Sequence, residues 1–133
     1  MQKKRDRREL AHYYAGRSPC KVQVGAVITD KSGRTMLQGG WNNAGNGRGM
    51  CAEHHAIRRS NPRRLRGATL TITSRRKNNG HPVFCQPCED CFNLAKKHGI
   101  EIVEHTDENG EWVVFRLEYA KLNLKKLKRR QKN

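Results

Sequence analysis

The stretch Cys51–Ile100, CAEHHAIRRSNPRRLRGATLTITSRRKNNGHPVFCQPCEDCFNLAKKHGI, decides how this chain folds. It places a strand between two short helices, and each helix opens on cysteine. Cys51 to Arg59 has helical spacing, with Ala52, His55, Ala56 and Arg59 on one face. Asn61-Pro62 ends that helix, because the residue before a proline is pushed out of the helical region. Ala68 to Thr73, ATLTIT, alternates and is β-branched, as a strand requires. Arg75 to Cys85 is polar, basic and glycine-containing, and reads as a loop. Pro87 suits a first helical turn and Gly99 a helix stop, so a second helix is expected to about His98.

The flanks extend this pattern. Residues 1–16 read as a basic arm running into a short helix that Gly16 stops. Val22 to Thr29 is a strand, Asp30-Lys31-Ser32-Gly33 a turn, and Thr35 to Gln38 the returning strand. Gly39 to Gly49 holds five glycines and three asparagines and reads as a loop that shapes a pocket. Downstream, Ile100 to Glu104 is a strand, and Asn109-Gly110 a hairpin signal. Trp112 to Leu117 is the partner strand. From Glu118 an amphipathic helix is expected, with Leu117, Ala120, Leu124 and Leu127 three or four apart. The expected organisation is an arm over 1–9, one domain over 10–117 and a basic tail over 118–133. Helix, hairpin, helix, strand, helix, strand, strand, helix makes an α/β domain with a mixed sheet of about five strands.

The chain has 133 residues, of which 35% are hydrophobic, enough for one modest core. No apolar run approaches the ~18 residues of a membrane span. Met1 to Leu10 is mostly charged, so no signal peptide and a cytoplasmic location are expected, or a nucleoid or nuclear one if nucleic acid is bound. Lys plus Arg number 28 against 12 acids, a formal charge of +16. Residues 3–8 hold five basic side chains and one acid. His54 to Cys88 holds eight (Arg58, Arg59, Arg63, Arg64, Arg66, Arg75, Arg76, Lys77) and no acid, and Lys121 to Asn133 holds seven and no acid. Such a field attracts polyanions, nucleic acid first among them.

Five cysteines, an odd count with three crowded at Cys85, Cys88 and Cys91, suggest metal more than disulfides. Cys88-Glu89-Asp90-Cys91 puts two sulfurs on one turn at a helix N-terminus, where the helix dipole and free N–H groups favour thiolate. Cys51 opens the other helix. Three thiolates leave one corner of a zinc tetrahedron open, the arrangement of a catalytic zinc site. Glu53, two residues after Cys51, would then move protons and not bind metal. The alternative is a structural site with a fourth ligand from Cys85, His54, His55 or His81.

Cys51-Ala52-Glu53 followed by Pro87-Cys88-Glu89-Asp90-Cys91 resembles the zinc-dependent nucleobase deaminases, cytidine and deoxycytidylate deaminases in particular. Arg17-Ser18-Pro19-Cys20, Gln23 to Ile28, Gly40-Trp41-Asn42 and Cys51 to Ile57 are similar to segments of the deoxycytidylate enzymes. The likeness covers roughly residues 10–105 and implies a three-layer α-β-α fold of the cytidine-deaminase type. Cys51 stands where deoxycytidylate deaminases usually carry His. Three cysteines and the hairpin at Asn109-Gly110 look more like the free-nucleoside enzymes. Residues 39–50 contain no Asp or Glu, although those enzymes hold a carboxylate there for the ribose. Residues 75–85 look like a basic insertion.

The resemblance implies zinc on Cys51, Cys88 and Cys91, Glu53 as proton carrier, and substrate contacts from Asn42 and the Ala52 N–H. Trp41 and His55 are further substrate-binding candidates, each with packing as its plainer role. The implied activity is hydrolytic conversion of cytosine to uracil in a nucleotide or nucleoside, by a chain that assembles as a homo-oligomer. Two other readings stay open. One is a deaminase of cytosine in single-stranded RNA or DNA, favoured by the charge. The other is a non-catalytic nucleic-acid-binding or structural protein with a deaminase fold. Adenosine in tRNA is a weaker substrate candidate.

Overall fold

The computed structural model describes residues 6–43, 51–85 and 87–117. Helix α1 (Arg7–Ala15) starts at Asp6, whose carboxylate accepts from the Glu9 N–H at 2.9 Å. Arg7 and Arg8 therefore belong to a helix and not to the arm. Strand β1 (Val22–Thr29) follows, then β2 (Met36–Trp41), α2 (Ala52–Arg59), a 3₁₀ turn over Pro62–Arg64, and β3 (Thr69–Arg76). Helix α3 (Glu89–Lys97), β4 (Ile102–Thr106) and β5 (Trp112–Arg116) complete the order. The expected C-terminal helix lies outside the described residues, as do residues 1–5 and the tip of the glycine-rich loop. No helix among the described residues is long and apolar enough to cross a membrane.

The five strands form one mixed sheet in the order β2-β1-β3-β4-β5. Strand β1 is antiparallel to both neighbours, β3 and β4 run parallel with α3 between them, and β5 returns antiparallel on β4. Gly110 takes the positive φ of 79° in the β4–β5 turn. Helices α2 and α3 cover one face and α1 the other, giving three layers. The core lies under α2 and α3, where Ala26, Ile28, Leu70, Ile72 and Val103 meet Ala52, Ala56, Ile57, Phe92 and Ala95.

The ends of β2 and β3 differ from those the sequence suggests, each for a physical reason. Gly39 and Gly40 are strand and not loop. A Cβ on Gly39 would lie 2.3 Å from the Tyr14 ring, and one on Gly40 2.6 Å from the Ala56 backbone nitrogen. These glycines admit a helix on each face of an edge strand. Strand β3 runs on to Arg76, and the chain then doubles back. The Arg76 N–H donates to the His81 carbonyl at 2.9 Å, and the Val83 N–H to the Ser74 carbonyl at 3.1 Å. The basic segment is thus a tight turn on the end of a core strand.

Candidate active site

Helices α2 and α3 begin side by side at one end of the sheet. Cys51 is the N-cap of α2 and Cys88 the N-cap of α3, each in extended backbone. Neither thiol bonds its own helix, so both are left to face each other. Cys91, in the first turn of α3, is buried beside them. The sulfurs of Cys51, Cys88 and Cys91 all lie within 4.8 Å of one another.

Hydrogen bonds from the Cys51 and Cys91 thiols, and from the Cys91 and Asp90 backbone N–H groups, hold Cys88 well below the ordinary thiol range. Cys51 is pushed up to about 11, chiefly by its bond to Cys88. Cys91 is raised as well, through its bond to Cys51 and then that to Cys88. Cys88 is thus the most acidic thiol of the cluster. Binding a cation releases the thiol protons.

The donor set fits zinc. A tetrahedron with ~2.3 Å zinc–sulfur bonds has sulfur–sulfur edges of about 3.8 Å, which this cluster reaches with small rotations. Among the described residues, the metal-ligating group consists of these three sulfurs. Cys85 is buried separately, and burial raises its thiol well above the ordinary range. His55 is engaged elsewhere. Its Nδ1 lies 3.2 to 3.3 Å from the Trp41 main chain, and its Nε2 3.4 Å from Arg59. A fourth protein ligand from either is not part of this arrangement.

Cys51 and Cys88 of the cluster line a cavity of about 450 Å³; Cys91 is not among its lining residues. Glu53, only 5% exposed, reaches the same cavity. Burial pushes its carboxyl up to about 7; the Cys88 charge acts in the same sense, and its own backbone N–H and the Cys91 thiol oppose. A carboxyl with that poise both takes and gives a proton near neutrality. Ala52 also lines the cavity. As the first residue of α2, its N–H has no intrahelical acceptor.

Asn42 lines the cavity as well. Its Oδ1 accepts from the Val24 N–H and its Nδ2 donates to the Val22 carbonyl, both at 2.8 Å. This locks the amide to the start of β1, with one N–H and one lone pair left over for a ligand.

Trp41 and His55 are not among the residues lining the cavity. The β1–β2 register pairs Gly25 with Trp41 and Ala26 with Gly40, so Trp41 points to the α1 face while Asn42 follows Gly40 to the other. The indole stacks on Tyr14, at 6.1 Å and 6° between planes. Arg17 lies over it at 4.7 Å, and His55 meets its edge at 4.7 Å. The plainer role, packing, is the one their positions support.

Of the rest of the wall, the sequence signals Cys85 alone, as a candidate metal ligand. This part of the wall comprises Val22 and Val24 from β1, Ser74 at the end of β3, and Val83 and Phe84 after the basic turn, with Cys20 and Cys85 between them. Phe84 rests edge-on against His105, which burial keeps below its usual pKa. The readable signal was alternation: Val22 and Val24 share parity with core residue Ala26.

The family model of the cytidine and deoxycytidylate deaminase zinc-binding region matches residues 1–105. Among solved structures, the cytidine deaminase of Burkholderia pseudomallei matches at 18% identity and a TM-score of 0.63, over 84% of this chain and 90% of that one. The cytidine deaminase of Mycobacterium leprae matches at 24% and 0.54, over 86% and 92%. A mutant of the Mycobacterium tuberculosis cytidine deaminase matches at 21% and 0.55, over 86% and 89%. These likenesses concern the fold. Comparison with curated protein sequences gives no match.

Proposed function

We propose that this chain, which belongs to the cytidine and deoxycytidylate deaminase zinc-binding family, is a hydrolase that converts cytosine to uracil in a nucleoside or nucleotide. The observation that carries this reading is geometric. A buried carboxyl, Glu53, lines the same cavity as Cys51 and Cys88, two members of the three-cysteine cluster. A site that only tied two helices together would have no use for that acid, and its burial costs stability.

Cys51, Cys88 and Cys91 would hold the zinc. When bound, zinc supplies a Lewis acid that brings the pKa of a water toward ~7. The protein's own groups do the rest. Glu53 takes a proton from the water as its oxygen bonds to C4 and delivers it to N3; it then takes the proton of the C4 hydroxyl and gives it to the amine, which leaves as ammonia while C4 becomes a carbonyl. The Ala52 N–H holds the 2-oxo group of the base. The spare N–H and lone pair of Asn42 meet sugar or base. Val22, Val24, Val83 and Phe84 flank the ring and exclude bulk water.

Glu53→Gln tests this. The variant is expected to keep its zinc and its melting temperature while conversion of cytidine, CMP and dCMP, followed by mass spectrometry, falls by a factor on the order of 10³. Wild-type protein loaded with zinc that converts none of them and no cytosine in a single strand, or a Glu53→Gln variant as active as wild type, would move the reading to a non-catalytic protein.

A further inference from the structure

Beside the catalytic cavity lies a second one of about 670 Å³, lined by Pro19, Lys21, Arg76, Lys77 and Asn78. The two share no lining residue, yet one piece of chain builds both. Cys20 and Val22 line the first cavity, and Pro19 and Lys21 line the second. Arg76 is the ladder partner of Val22. The Lys77 N–H donates to the Lys21 carbonyl at 2.8 Å. Both cavities therefore open at the same end of the sheet, where β3 ends and β1 begins.

The turn that carries the cations is held by its own bonds. The Gly80 N–H donates to the Arg76 carbonyl at 2.8 Å, and Gly80 takes a φ of +73° to close it. Lys21, Arg76 and Lys77 are all exposed. Among the described residues, no ion pair involves any of these three. Like charges fixed together without a counter-charge repel, and a bound anion relieves that repulsion.

We infer that this second cavity is a phosphate-binding groove. Lys21, Arg76 and Lys77 hold the sugar–phosphate backbone of a single-stranded polynucleotide while one of its cytosines enters the catalytic cavity. The inference rests on the deaminase reading above and names the substrate class of that same site. Three considerations favour a strand over a lone nucleotide. The groove is larger than the space that takes the base. It offers three cations where a single phosphate needs one or two. It also lies outside the catalytic cavity, where only a ligand extending past the target base reaches it. A single strand is required because a base inside a duplex cannot enter a closed pocket.

The test uses the full chain and a short fluorescein-labelled, cytosine-containing DNA strand with its RNA counterpart. Binding is read by fluorescence anisotropy over a range of salt. Lys21→Gln/Arg76→Gln/Lys77→Gln is compared with Lys31→Gln/Arg34→Gln/Arg63→Gln, an equal charge loss at the other end of the sheet. The groove variant is expected to lose about 10-fold or more in affinity. Its salt slope should fall by about 2, at roughly 0.7 per phosphate contact on a single strand. The control variant should stay near wild type. Equal losses in both variants, or strand affinity unchanged in the groove variant, would overturn the inference. So would an effect confined to the KM of CMP and dCMP. Wild-type protein that binds the strand through these residues but converts no cytosine, free or in a strand, would instead sink the deaminase reading and leave the groove standing.

Discussion

On the face that carries α2 and α3, the central strands present Ala26, Ile28, Leu70, Ile72 and Val103. On the face that carries α1, the intervening positions are Thr29, Thr69, Thr71, Thr73, Glu104 and Thr106, all buried around Val27. The first face packs by apolar area and ends in the cysteine cluster. The second is held by hydrogen bonds and one charge cluster. The Glu104 carboxylate sits between sheet and helix, taking bonds from Thr71 at 2.8 Å, from Arg8 at 3.0 Å and from Arg7. Alternation along the same strands thus separates two jobs. One face makes a dry support for the site; the other fastens the helix that closes the domain.

Each face admits its helix through glycine, and the largest expected effect comes there. A Cβ on Gly25 would lie 2.1 Å from the Ala11 carbonyl oxygen of α1. A Cβ on Gly40 would lie 2.6 Å from the Ala56 nitrogen and 2.7 Å from the Ala52 carbonyl oxygen of α2. Both obstacles are backbone and cannot rotate away. Gly25→Ala and Gly40→Ala should each cost about 3 kcal/mol or more in urea unfolding. They should differ in zinc. Gly40→Ala shifts the first turn of α2, which carries Cys51 and Glu53, so zinc affinity and turnover fall with stability. Gly25→Ala should spare zinc affinity in the fraction that folds. Equal zinc loss in both would show that the two faces are not separable.

That asymmetry also separates what was legible in the sequence from what was not. The strand VQVGAVIT and the Cys-x-x-Cys opening of α3 were readable because their signals are local. Gly39 and Gly40 read as loop in the sequence, since a glycine that makes room for a helix looks the same as one that makes a turn. Trp41 and Asn42 both read as substrate-binding candidates, Trp41 with packing as its plainer role. A strand reaching Trp41 and bonded onward through Asn42 must send them to opposite faces, and only knowledge of where β2 ends reveals which. The cation cluster around Glu104 was invisible because its members lie 96 and 97 residues apart.

A smaller effect is expected where the two faces meet at the sheet edge. Trp41 binds Tyr14 and Arg17 on the α1 side and His55 and Arg59 of α2. Trp41→Ala should lower stability by about 2 kcal/mol, below the 3–5 of a fully buried Trp because the ring is partly exposed. The KM for cytidine should change by less than about 3-fold, since 1 kcal/mol of lost binding would already exceed that. A large rise in KM with stability intact would return Trp41 to the substrate.

The smallest effect sits in the polar face and depends on pH. Burial alone would raise the Glu104 carboxyl, but the bonds from Arg7, Thr71 and Arg8 outweigh it and leave it below the ordinary value. A carboxyl with a depressed folded pKa adds stability above its unfolded value, near ~4.3, and loses that stability as pH falls through the folded value. Glu104→Gln should therefore cost stability at neutral pH, and the gap to wild type should close as pH drops below about 4. Removing one member of a sealed pair costs about 3–5 kcal/mol. Here Arg7 and Arg8 are 36% and 40% exposed and rehydrate once released, so about 1 kcal/mol is expected. Urea unfolding of both proteins between acid and neutral pH measures the gap directly. A gap that stayed constant with pH would mean that α1 is held by packing around Val27 and Tyr14, and that the polar face differs from the apolar one in composition but not in what secures it.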